Sequence, residues 1–169
     1  DRAPRLLVEE RRRRILEMLD GQEKVTVDEL VGRLKSALGP AGEQDALWII
    51  TGDHGEALGD HGEATHSLFV YDATARVPLI VWAPGRIAPG RSEFARLVDV
   101  APTILPMAGV AQRPGLDGAS ILTMAEPAPR AAYVETMYPS LNFGVAPVRA
   151  LSDGTYKVID VPQKEVYDL

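Results

Sequence analysis

Ala46-Leu-Trp-Ile-Ile-Thr51, running straight into Gly52-Asp-His-Gly-Glu-Ala-Leu-Gly-Asp-His-Gly-Glu63, decides how this sequence folds. The first six residues form a continuous apolar run with β-branched isoleucines and polar flanks. A strand covered on both faces of a sheet reads this way. The run empties into a glycine-rich polar loop, and in open α/β sheets the crevice beyond strand carboxyl ends is where ligands bind. A second apolar run, Val77–Trp82, is closed by Ala83-Pro84-Gly85. Neither run alternates, so the two are expected as neighbouring central strands of a mostly parallel sheet.

Working outward, Thr26 with Glu29 three residues later makes a capping box for a helix from Val27 to about Leu38, stopped by Gly39-Pro40. An earlier helix is expected over Val8–Leu19, with Leu7, Ile15, Met18 and Leu19 as its apolar stripe. Downstream, Asp99–Gly109 reads as a short helix capped by Asp99, and Ala131–Thr136 as a third strand. Val148–Leu151 and Tyr156–Ile159 flank Asp153-Gly154, a hairpin signal. The order of elements predicts an α/β layered sheet preceded by a two-helix segment. Residues 1–40 are set apart as a helical N-terminal segment and 41–169 as the main domain.

Composition excludes several classes. No stretch approaches the roughly 18 apolar residues of a membrane span, and 46% hydrophobic residues are too many for a disordered chain. The absence of cysteine removes disulfides, Cys-ligated zinc and a cysteine nucleophile. A net charge of −6 argues against bulk affinity for nucleic acid. Residues 1–38 hold nine Lys/Arg against eight Asp/Glu, whereas the rest hold nine against sixteen, so the two stretches differ in character. Asp1–Arg14 is charged throughout and lacks a secretory signal's apolar centre, so the sequence as it stands reads as cytoplasmic.

All three histidines, His54, His61 and His66, fall within thirteen residues that also hold Glu56, Asp60 and Glu63, with Asp53 immediately before them. Asp53 and His54 lie just beyond the first strand between Gly52 and Gly55. Inside a strand they would point to opposite faces, but flanking glycines allow conformations that bring both onto one ion. Carboxylate plus imidazole suits Mn²⁺ or Zn²⁺ better than Ca²⁺. The plainer alternative is a solvated acidic loop whose histidines bind nothing.

Four motifs resemble the sulfatase family of the alkaline phosphatase superfamily: "DALWIITGDHGE" (Asp45–Glu56), "HGEATHSLFVYDATARVPLIVWAPGRI" (His61–Ile87), "LVDVAPTILPMAGV" (Leu97–Val110), and the stretch from Tyr133 to the closing "VYDL" at Leu169. The resemblance covers about residues 26–169, and His54 with Thr65-His66 is similar to bacterial members. It implies a partial alkaline-phosphatase-like sheet and a sulfuric ester hydrolase acting on sulfate or phosphate esters. Asp53 and His54 would complete a divalent metal site (Mn, Zn or Ca), and His66 would be a catalytic cation at the transferred group or leaving oxygen. Tyr71 and Arg76 are read as structural, a packed ring and a loop anchor, and Lys157 as a solvated charge. Ser67 and Thr65 have no general base to activate them.

The resemblance also implies a Cys-x-Pro-Ser-Arg nucleophile motif and an earlier acidic pair, neither present here. The chain therefore reads as the C-terminal half of a hydrolase domain, inactive alone, whose missing N-terminal half is a possible partner. A rival reading comes from "LLVEERRRRILEMLDGQEKVTVDELVGRL" (Leu6–Leu34), which resembles the opening helices of DeoR-type regulators, with Arg11–Arg14 meeting DNA phosphates. In that case the remainder would be a degenerate sensor domain. "KSALGPAGEQ" follows where a recognition helix belongs, so base readout has no element to carry it. A third reading is a truncated or chimeric frame without activity.

Overall fold

The computed structural model describes residues 26–90, 94–122 and 130–169. The helix expected over Val8–Leu19 and the Arg11–Arg14 run lie outside them. The chain divides into two compact units, Asp1–Ala46 and Leu47–Leu169.

In the first unit, helix α1 (Val27–Asp45) opens as the capping box requires. The Glu29 N–H donates to Thr26 Oγ1 at 3.2 Å, and the Thr26 N–H donates to Glu29 Oε2 at 2.9 Å. Those bonds hold the Glu29 carboxyl below its ordinary range. Gly39 breaks the helix as expected, with φ 67 and ψ 173, but the helix then resumes through Asp45. Pro40 explains the restart, because a proline at the first position of a helical run gives up an N–H that would have no partner. Lys35 and Glu43 pair at 2.9 Å across the break.

The second unit is built on two sheets. Strand β1 (Trp48–Thr51) and strand β2 (Leu79–Trp82) are direct neighbours, with Trp48 opposite Trp82 and Thr51 opposite Leu79. They run antiparallel, not parallel, and among the described residues their sheet has two strands. An apolar run specifies covering, whereas the connection specifies direction. A parallel return is usually made through a crossover helix that covers the sheet, and this connection offers only a 3₁₀ turn (Asp60–Gly62) and the four-residue helix α2 (Asp72–Ala75). Covering is also incomplete, since Ile80 and Trp82 remain exposed.

Helix α3 (Val100–Met107) follows a 3₁₀ turn over Leu97–Asp99. Gly109, at φ +71, closes it, as the sequence suggested. Asp99 does not cap α3 with its side chain. It turns back toward Arg96 and is fully buried. Strand β3 (Ala132–Thr136) leads through helix α4 (Tyr138–Phe143) into β4 (Val148–Ser152), β5 (Tyr156–Asp160) and β6 (Glu165–Asp168). These form one antiparallel sheet in the order β3-β4-β5-β6. Its inner face places Val148, Ala150 and Ile159 against Val70, with Tyr71, Val134, Val161 and Tyr167 around them. The Asp153-Gly154 turn forms as predicted, with Asp153 Oδ1 accepting from the N–H groups of Thr155 and Tyr156 at 2.9 and 2.8 Å.

Candidate functional site

Asp53 and His54 follow the last residue of β1. The His54 N–H donates to Asp53 Oδ1 at 3.1 Å, and His54 Nε2 stands 3.9 Å from Asp53 Oδ2. His54 Nδ1 lies 2.9 Å from the Gly55 carbonyl oxygen. A carbonyl can only accept, so Nδ1 is the donor in this bond, which fixes the ring with Nε2 on the aspartate side. Two ligand atoms bound to one ion at about 2.1 Å stand no more than about 4.2 Å apart, so 3.9 Å is within reach. Among the described residues, no group of three or more His, Asp or Glu converges to hold a metal ion, so the pair supplies two donors and no third.

Local backbone structure aims these side chains. The glycines around the pair serve by lacking a Cβ, not by adopting unusual torsions. At Gly55 a Cβ would meet the Ala73 carbonyl oxygen at 2.1 Å, while the Gly55 N–H donates to the Thr74 carbonyl at 2.8 Å. The loop is thereby laid against α2. Beyond it the backbone turns through left-handed conformations at Leu58, Gly59, His61 and Gly62. The Ala57 N–H closes the loop on the Thr65 carbonyl at 2.7 Å. Glu63, almost fully buried, accepts from the Leu68 N–H at 2.6 Å.

The loop carries His66 back to His54. Their rings stack at 4.1 Å between centroids with 30° between planes. His66 Nδ1 lies 3.1 Å from Glu56 Oε1, a partnership the sequence reading did not foresee. Ser67, next along, holds φ +94, a strained value for a non-glycine residue. Its carbonyl accepts from Thr136 Oγ1 on β3 at 2.5 Å, which fixes the backbone beside His66.

His61 does not join this cluster. It stacks on Tyr71 at 3.6 Å, edge-on to Tyr167, with Asp60 at 3.1 Å. Tyr71 and Tyr167 both donate to Glu165 Oε2, at 2.9 and 2.5 Å. Burial and then the bond to Glu165 push the Tyr71 hydroxyl well above its ordinary range. Tyr71 is thus the packed ring expected of it. Arg76 is largely exposed, with Asp72 at 3.9 Å, and does not anchor the loop.

Lys157 corrects the sequence reading. It is not a solvated charge. Its side chain is 5% exposed and Nζ donates to Asp72 Oδ1 at 2.6 Å. The period of two in β5 puts position 157 on the same inward face as Ile159, a signal available from the sequence. Asp53, His54, His66, Arg76 and Lys157 all line one trough of about 2260 Å³.

The sulfatase family model matches residues 24–110, more than half of the sequence. This chain belongs to the sulfatase family, within the alkaline phosphatase superfamily. An N-acetylglucosamine-6-O-sulfatase of Bacteroides thetaiotaomicron is 33% identical over 159 residues, covering 86% of this chain and 28% of that protein. A protein solved in complex with its substrate D-glucosamine-2-N,6-O-disulfate superposes with a TM-score of 0.70 at 30% identity, covering 92% of this chain and 38% of that one. The phosphonate monoester hydrolase of Agrobacterium radiobacter superposes with a TM-score of 0.65 at 28% identity, covering 85% and 32%. The fold is accordingly part of the alkaline-phosphatase-like fold, and the chain spans less than a third of that curated relative. The regulator reading gains no support, since the described part of its motif, from Thr26 on, lies inside the sulfatase match. Among the described residues, no helix is long and apolar enough to cross a membrane.

Proposed function

We propose that this chain is the C-terminal portion of a metal-dependent hydrolase of sulfate esters, with Asp53, His54 and His66 in its reaction centre. One observation carries the reading: three side chains from two ends of a loop converge beyond β1, with His54 Nε2 free to face Asp53. Asp53 and His54 would hold a divalent cation, which when bound neutralises charge developing on the sulfuryl oxygens. Glu56, at 3.1 Å from His66 Nδ1, would accept a hydrogen bond from it and so orient the ring, whose Nε2 would then be directed to the transferred group or leaving oxygen.

The remaining ligands and the nucleophile would come from the rest of a sulfatase domain, on a longer form of this protein or on another chain. Three features support that view. The chain covers 38% of its solved relative. The site opens onto a trough of about 2260 Å³. Trp48 Nε1 and Arg130 Nε and Nη2 are buried without hydrogen-bond partners among the described residues, an arrangement that complete proteins seldom tolerate.

Calorimetric titration with Mn²⁺, Zn²⁺ and Ca²⁺ tests the pair. Weak binding is expected from two protein ligands, lost in both Asp53→Ala and His54→Ala. Tight binding that survives both substitutions would place the metal site elsewhere. Turnover of nitrophenyl sulfate and bis-nitrophenyl phosphate by the same protein should be negligible, because group transfer of this kind passes through a covalent nucleophile. A fast metal-dependent rate, abolished by His54→Ala, would refute the view that the nucleophile lies outside this sequence.

A further inference from the structure

Strand β5 turns one charge inward. Lys157 is almost fully buried, on the same face as Ile159 of the core. Taking an ammonium out of water is costly, and a buried ion pair often returns no more stability than apolar side chains of similar volume would. What the pair supplies is a fixed direction. Lys157 Nζ donates to Asp72 Oδ1 at 2.6 Å and so joins the hairpin sheet to α2.

Helix α2 is four residues long, too short to keep its shape unaided. It is gripped from outside at two successive residues. Tyr71, ahead of its first turn, donates to Glu165 Oε2 on β6 at 2.9 Å, and Asp72 accepts from Lys157 on the neighbouring β5. One such bond leaves a single turn free to swing about it, whereas two from adjacent strands fix its bearing. Arg76, at 3.9 Å from the other Asp72 oxygen and largely exposed, adds little.

What α2 holds is the loop at the end of β1. The Thr74 carbonyl accepts from the Gly55 N–H at 2.8 Å, and the Gly55 carbonyl accepts from His54 Nδ1 at 2.9 Å. Three hydrogen bonds and one helical turn thus lead from Lys157 to the imidazole. The path has little slack, because the Ala73 carbonyl oxygen lies 2.1 Å from where a Gly55 Cβ would stand. A shift of α2 is therefore a shift of Gly55.

We propose that Lys157 is a positioning residue for the Asp53–His54 pair, holding α2 through Asp72 so that the Gly55 backbone presents His54 in one direction. This role rests on the metal-binding reading of that pair. Lys157 is buried and already engaged by Asp72, so it acts through the loop and not on a substrate.

Nuclear magnetic resonance of the whole chain gives two readouts. One is amide exchange at Gly55 without metal. The other is Mn²⁺-induced broadening of the Gly55 and His54 amide signals, which registers weak binding. Lys157→Met should lower the apparent Mn²⁺ affinity by about tenfold, the usual cost of losing a partner behind a ligand, and should speed Gly55 exchange by a similar factor. Asp72→Asn, at a partly exposed position, should do the same, and the double variant should lose no more than either. Lys157→Arg keeps a donor and should retain most of both. Asp153→Ala is the control, since it loosens the turn into β5 and lowers the denaturant midpoint without touching Asp72. Both readouts should stay at wild type there. If wild-type broadening is indifferent to Asp53→Ala, the metal reading falls, and Gly55 exchange alone then decides the role of Lys157. Wild-type Gly55 exchange in Lys157→Met would overturn the proposal, as would wild-type Mn²⁺ affinity in that variant where Asp53→Ala abolishes binding. Additive losses in the double variant, or an equal loss in Asp153→Ala, would overturn it as well.

Discussion

Asp99 and Asp53 have the same side chain and opposite circumstances. Asp99 is fully buried, with Arg96 at 3.1 Å, Arg130 at 3.0 Å and the N–H groups of Arg96 and Ala119 at 3.0 and 2.9 Å. Its carbonyl also accepts from Thr103 Oγ1 at 2.6 Å, and the same hydroxyl accepts from the Ile121 N–H. Asp53 is 92% exposed and spends one oxygen on the His54 N–H. A carboxylate whose lone pairs are filled by cations and amides fastens a scaffold. One with lone pairs to spare, at a strand end beside an oriented imidazole, is available to a ligand. The resemblance to the family covers both aspartates, and geometry separates their tasks.

The sharpest way to break this contrast is to remove each carboxylate in turn. Asp99→Ala should destabilise the protein by about 3–5 kcal/mol, the cost of leaving buried charge uncompensated, read as a fall in denaturant midpoint. A loss within about 0.5 kcal/mol would mean that Arg96 and Arg130 find other partners and that Asp99 fastens nothing. Gly55→Ala comes next, at about 2 kcal/mol, because the added Cβ must displace backbone at Ala73. It should also weaken metal binding, since the loop that aims His54 shifts with it.

Acid sharpens the contrast further. Burial alone would push the Asp99 carboxyl up, but the bonds from the Arg96 side chain and from the Ala119 and Arg96 N–H groups hold it below its usual range. A depressed native value contributes stability that is fully present above the unfolded-state pKa and lost as pH falls through the native one. The wild-type advantage over Asp99→Asn should therefore hold at neutral pH and fade only under acid conditions below the ordinary aspartate range. An advantage that disappears near neutrality would contradict the buried network. The smallest effect belongs to Asp53→Ala, within about 0.5 kcal/mol of wild type in stability, although its metal binding heat should vanish.

The candidate site was legible in the sequence where local chemistry decides it. An apolar run ending in Gly52-Asp-His-Gly55 placed Asp53 and His54 at a strand end. The stacking of His66 on His54 was not legible from residue types, because it depends on left-handed backbone at Leu58, His61 and Ser67, none of which is a glycine that would announce it. The antiparallel course of β2 was likewise hidden, since direction resides in the connection and not in the strand. Lys157 was misread because an exposed hairpin motif outweighed the alternation of its own strand. Gly39-Pro40 shows the complementary error, in which a true break was taken for an end.

Both tryptophans of the protein occupy one cross-strand position: Trp48 opposite Trp82, ring centroids 6.2 Å apart. Indole emission therefore reports on one pair of strands, the pair that leads into Asp53 and His54. Tyr133, Tyr156 and Tyr167 belong to the other sheet. Excitation at the red edge of the indole band, where phenol does not absorb, gives the first sheet its own optical channel without any label, and far-ultraviolet dichroism follows the unit as a whole. Melting of the site-bearing strands can thus be compared with melting of the secondary structure as a whole, and a difference between the two traces would reveal how cooperatively the unit folds.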